Sequence, residues 1–184
     1  MGRCYLLDAS ALVTFIVKNP EGGLESAKKR LVKLFASRRP GRGPVFFVPN
    51  VCMAECSKAF AKIFLDGDPS EARKHAYQQH VDSLLDWVSS KRKHVIKTYK
   101  LKREHLVGIE DIFTADNALT SRDGQPLSGL DGIIVSMGRT LERQYGKGNV
   151  FILTTDARIS KLCQSNADSF PRAVDLKSHE IPGT

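Results

Sequence analysis

The chain has 184 residues, 41% of them hydrophobic, which is enough to bury one sizeable core and too short for two ordinary domains, so a single domain over residues 1–184 is expected. Its 28 Lys and Arg against 20 Asp and Glu leave a net charge of +8, which favours polyanionic partners without proving nucleic-acid binding. No stretch approaches the roughly 20 apolar residues that span a bilayer, and the start lacks a signal-peptide core, so a cytoplasmic protein with no membrane partner is expected.

Cys4-Tyr5-Leu6-Leu7 reads as a short buried strand ending at Asp8, and Ala9 to Val17 as the helix that follows it. Gly22-Gly23 breaks the chain before a basic amphipathic helix over Leu24 to Ser37, with Leu31, Leu34 and Phe35 on one face. The loop from Arg38 to Pro44 precedes a second buried strand, Val45-Phe46-Phe47-Val48, and Pro49 suits the start of a helix from about Asn50 to Leu65. On that helix Cys52, Cys56, Ala59, Phe60 and Ile63 make an apolar stripe with Glu55 at its margin. The four cysteines, at 4, 52, 56 and 163, show neither a CxxC pair nor zinc-ligand spacing, so buried free thiols are expected.

Asp68-Pro69 opens a helix through Tyr77, Val81, Leu84, Leu85 and Val88, which runs to the basic cluster Lys91-Arg92-Lys93. Val95 to Tyr99 reads as a third strand, and Arg103 to Leu119 as a helix ending in the turn Ser121-Arg122-Asp123-Gly124. Ser128 then caps a helix holding Asp131, Ile133, Ile134, Met137 and Leu141. Val150-Phe151-Ile152-Leu153 is a strand running into Thr154-Thr155-Asp156 and a final helix to about Ser165, with Ala173-Val174-Asp175-Leu176 as an edge strand. Apolar strands alternating with helices imply an α/β sandwich with a mostly parallel sheet.

Two of these strands end on an acid, Asp8 and Asp156, and the carboxyl ends of parallel strands line the functional crevice of such a sheet. Each acid also precedes a helix, where capping is an ordinary task for Asp. Glu55, less than two turns beyond Val48-Pro49, can reach the strand ends, and Ser128-Gly129-Leu130-Asp131 equally fits an S-x-x-D cap. Asp116 is an additional acid, expected at the surface.

Taken in order, Tyr5-Leu6-Leu7-Asp8-Ala9-Ser10-Ala11-Leu12, Val48-Pro49 to Glu55, Leu130-Asp131-Gly132-Ile133-Ile134 and Leu153-Thr154-Thr155-Asp156 resemble the PIN-domain nucleases, among them the ribonuclease toxins of VapBC-type pairs. The resemblance implies a three-layer α/β/α sandwich, an acidic pocket of Asp8, Glu55, Asp131 and Asp156 serving as catalytic residues and metal ligands, and supporting hydroxyls from Ser10 and Thr154. The Arg-rich loop and the long stretch between Glu55 and Asp131 depart from the compact members. Clustered carboxylates raise each other's pKa unless a cation compensates, and an all-oxygen set without His or Cys suits Mg²⁺ or Mn²⁺.

The chemistry implied is metal-dependent hydrolysis of RNA phosphodiesters. Backbone contacts are expected from Arg38, Arg39 and Arg42 and from Lys91, Arg92, Lys93, Lys97 and Lys100, with Lys102 and Arg103 nearby and Tyr99 available for stacking. The resemblance further implies a homodimer and, for a toxin, an antitoxin partner. The rival reading is a non-catalytic RNA-binding module on the same fold, against which the intact acid set argues. A nucleotide-dependent enzyme ranks last, because no G-x-G-x-x-G or P-loop pattern is present.

Overall fold

A computed structural model describes residues 2–18, 23–37, 43–89, 96–123 and 126–182, so the cationic clusters Arg38, Arg39, Arg42 and Lys91, Arg92, Lys93 lie outside the described residues. The apolar runs form five parallel strands: β1 (Cys4–Leu7), β2 (Val45–Pro49), β3 (Ile96–Tyr99), β4 (Val150–Thr154) and β5 (Arg172–Asp175). They lie side by side in the order β3-β2-β1-β4-β5. Every residue of β1 and of β4 is buried, as continuous apolar runs require in a parallel sheet covered on both faces.

The order dictates the layers. Chain connections run outward from β1 through β2 to β3, then return across the sheet to β4 and on to β5. Crossovers of one hand travelling in opposite directions place their helices on opposite faces. The first group is α1 (Ala9–Ile16), α2 (Glu25–Ala36), α3 (Asn50–Leu65) and α4 (Glu71–Ser89). Phe15 of α1, Phe35 of α2 and Trp87 of α4 meet one another and the sheet in an aromatic cluster, with Phe35 4.6 Å from Phe15 and 4.7 Å from Phe46 of β2 between ring centroids. The second group is α5 (Arg103–Val107), α6 (Glu110–Asp123), α7 (Gly129–Tyr145) and α8 (Ala157–Ser165), gathered around α7. The result is the expected α/β/α sandwich.

Close approach of α7 to the sheet depends on Gly138, where an added Cβ would fall 2.8 Å from Pro171 Cγ and 3.1 Å from Ile152 Cδ1. The four cysteines are buried and free, and Cys52, Cys56 and Phe60 carry the α3 stripe inward, whereas Ile63 at its end is exposed. The single helix expected from Arg103 to Leu119 is two, broken at Gly108-Ile109. The carbonyl of Gly108, which a continuous helix would use internally, accepts instead from Arg139 Nη1 of α7 at 3.3 Å. No helix among the described residues is long and apolar enough to cross a membrane.

Candidate active site

The connections travel one way across the sheet from β1 and the other way from β4, and an open parallel sheet carries its crevice beyond the carboxyl ends of the strands at that switch. Leu7 is in register with Leu153, and the Asp8 N–H donates to Leu153 O at 3.0 Å. Asp8 and Thr154 are therefore level at the sheet edge. Asp8 is buried and caps α1, its Oδ1 accepting from Ala9 N at 2.6 Å. Its Oδ2 accepts from Ser10 Oγ at 2.6 Å and from Thr154 Oγ1 at 2.9 Å.

Both hydroxyls are oriented by the backbone. Ser10 Oγ accepts from Thr155 N and Thr154 Oγ1 accepts from Asp156 N, each at 2.9 Å. With those backbone donors on their acceptor sides, the two hydroxyl protons go to Asp8. Even so, burial pushes the Asp8 carboxyl above its usual range: desolvation outweighs the bonds from Ser10, Thr154 and Ala9, and the charge of Asp131 adds to the upward push.

Asp131 comes from the first turn of α7, where it closes a capping box. Its Oδ2 accepts from Ser128 N at 2.9 Å and Ser128 Oγ at 2.8 Å, while its own N–H donates to Ser128 Oγ at 3.2 Å. Asp156 caps α8 by accepting from Arg158 N at 2.8 Å. Asp8, Asp131 and Asp156 thus each hold a helix start, Asp8 and Asp156 just beyond the ends of β1 and β4 and Asp131 near enough for its charge to act on Asp8.

Glu55 lies on the exposed side of α3, outside the hydrogen-bonded cluster. Its neighbour Cys56 points inward, the thiol donating to Ala9 O at 3.7 Å. Burial raises the Cys52 and Cys56 thiols, and the charges of Asp8 and Glu55 both reinforce that shift. Among the described residues, no three Asp, Glu, His or Cys side chains stand grouped to hold one ion in their present positions.

The residue that sequence reasoning passed over is Arg158. Its Nε donates to both oxygens of Asp156 at 3.1 Å, its Nη2 makes a short contact to Asp156 Oδ2, and Nη1 donates to Pro126 O at 3.1 Å. Nη2 also lies 3.8 Å from Asp131 Oδ2. Burial by itself raises the Asp156 carboxyl, but the bonds and charge of Arg158, helped by Lys177, hold it below its ordinary range. Asp116 corrects another expectation: it is buried rather than at the surface, because the segment before α7 folds over α6 and Leu127 N donates to its Oδ2 at 2.8 Å. Its charge also reaches Arg158.

At the edge of the sheet, Lys97 and Lys100 are exposed on and just beyond β3. Tyr99 is half-buried, its ring 5.6 Å from Phe47 and 5.3 Å from His105.

A parallel five-stranded sheet between two helical layers, with acids at its carboxyl edge, is the PIN-like fold. Solved structures similar to it over nearly their whole length include VapBC2 from Rickettsia felis bound to a DNA fragment from its promoter, at 13% identity and a TM-score of 0.52, covering 93% of this chain and 97% of that one. VapBC-1 from nontypeable Haemophilus influenzae aligns at 11% identity and a TM-score of 0.52, covering 95% of this chain and 99% of the other. At such identities the likeness is one of fold. No family model matches the chain, and no curated protein matches it significantly.

Proposed function

We propose that the chain is a divalent-metal-dependent endoribonuclease acting as the toxin of a toxin-antitoxin pair. The observation that carries this reading is Asp8, buried, held by two oriented hydroxyls and under the charge of Asp131, at the β1/β4 switch of a PIN-like sheet. A buried carboxylate next to a second one is unfavourable for folding, and binding RNA gains nothing from it, whereas a cation between them turns the cost into affinity.

The donor chemistry fits Mg²⁺ or Mn²⁺, since the side chains facing the edge offer hard oxygens. Asp8, Asp131 and Asp156 would hold the ion, with Glu55 reaching in from α3. When bound, such an ion supplies Lewis-acid activation of water and of the phosphodiester. Ser10 and Thr154 keep Asp8 in one orientation, which is the pre-organisation that a site on strand ends provides. The PIN-like fold shared with VapBC proteins supports the toxin assignment and an antitoxin partner; a homodimer is what the family resemblance implies.

The direct test is cleavage of a total-RNA substrate with Mn²⁺ or Mg²⁺, comparing wild type with Asp8→Asn. Wild-type cleavage that stops with chelator, and falls by about 100-fold or more in the variant, is expected for loss of a group acting on the reacting centre. Equal cleavage by both proteins, or cleavage that survives chelation, overturns the proposal.

A further inference from the structure

We propose that Arg158 is the resident counter-ion of the acidic site and is handed to an RNA phosphate when a divalent cation enters, so that metal and RNA bind cooperatively; this rests on the nuclease reading above. Both oxygens of Asp156 are engaged by the Arg158 side chain, and Oδ1 also takes the Arg158 backbone N–H. A carboxylate offers about four lone-pair positions, so little of Asp156 is left for an ion while the guanidinium stays. The same guanidinium lies 3.8 Å from Asp131, which places it between the two acids a cation would join.

The arrangement is built rather than incidental. Asp116 holds Leu127 N, the adjoining Pro126 carbonyl accepts from Arg158 Nη1, and the guanidinium is thereby fixed over Asp156. Yet the side chain is 42% exposed and sits in the first turn of α8, so it leaves the acids by rotating its own bonds without moving the helix. One guanidinium does not balance three carboxylates, whereas a divalent ion goes further, and a phosphodiester offers the planar fork of the displaced guanidinium a pair of non-bridging oxygens as acceptors. Without RNA the arginine competes with the ion. With RNA it has another partner, and the competition is relieved.

The test is Mn²⁺ affinity, read by the electron paramagnetic resonance of free ion and by calorimetry, with and without a 2′-O-methyl RNA oligonucleotide that resists cleavage. Without oligonucleotide, Arg158→Gln should bind Mn²⁺ about tenfold more tightly than wild type, and Arg158→Lys, which keeps the charge but not the fork, should fall between them. Adding oligonucleotide should tighten Mn²⁺ binding by wild type about tenfold and by Arg158→Gln hardly at all. Variants that bind Mn²⁺ no tighter than wild type, while Asp8→Asn abolishes binding, overturn the role of Arg158 and leave the nuclease reading standing. Absence of Mn²⁺ binding in wild type and both Arg158 variants overturns the two together.

Discussion

At Asp8, burial and hydrogen bonding act in opposite senses on one carboxyl, and burial prevails. A carboxyl whose pKa is raised by folding favours the folded state while protonated; that contribution is complete in acid and is lost as pH climbs through the folded value. Ionised Asp8 therefore weakens the protein at neutral pH. Asp8→Asn should melt above wild type at pH 7, by on the order of 1 kcal/mol or about 2–4 °C, with the gap closing toward pH 4. Millimolar Mn²⁺ should raise the melting temperature of wild type and leave the variant unmoved. A variant that melts below wild type at pH 7 would mean that the bonds from Ser10 and Thr154 outweigh desolvation. The positions of Asp8, Ser10 and Thr154 were legible because each follows an unbroken apolar strand, and strand ends are simple to locate. Arg158 was not legible: two residues past a helix cap, an arginine reads as a solvated charge, and its turn back onto Asp156 depends on the Pro126 carbonyl 32 residues away. Asp116 escaped for a similar reason, its burial resting on the segment that folds over it.

Helix α7 shows how an element serves stability and the site with the same atoms. Ser128 and Asp131 satisfy each other's backbone N–H groups, and the carboxylate that closes this box is the one whose charge acts on Asp8. Ser128→Ala removes the hydroxyl that binds both Asp131 Oδ2 and Asp131 N, which should cost about 1 kcal/mol. Thermal melts should show a loss of about 2–4 °C, and Mn²⁺ affinity should fall as Asp131 gains freedom. An unchanged melt would show that the remaining Ser128 N to Asp131 Oδ2 bond suffices to start the helix. The S-x-x-D pattern made this start readable from four residues, as the apolar runs did for β1, β2 and β4. The division of α5 from α6 was different. Leu106, Val107, Ile109 and Ile112 continue an apolar pattern across it, and the break is held by Arg139 from another helix. Local spacing carries no trace of such a partner.

For the molecule as a whole, the strand order brings cations and acids to one edge. β3 lies two strands from β1, and at roughly 4.8 Å per strand its carboxyl end is roughly 10 Å from that of β1, a step or two along an RNA backbone. Lys100 is exposed just beyond that end and Lys97 on the strand itself, so a strand of RNA whose phosphate meets the acidic pocket would pass over them. An edge-strand lysine also has a plainer task, that of preventing another strand from pairing with the sheet. Ionic strength separates the two. If both lysines neutralise phosphates, Lys97→Glu with Lys100→Glu should weaken binding of a single-stranded RNA by about tenfold at moderate salt. The slope of log affinity against log salt should also shrink by about 1.4, at roughly 0.7 for each phosphate that is no longer neutralised. Fluorescence polarisation at several KCl concentrations, in the Asp8→Asn background to prevent cleavage, reads both quantities. Weaker binding with an unchanged slope points to a disturbed sheet edge, and a double variant that binds like its parent places the RNA path elsewhere on this basic chain.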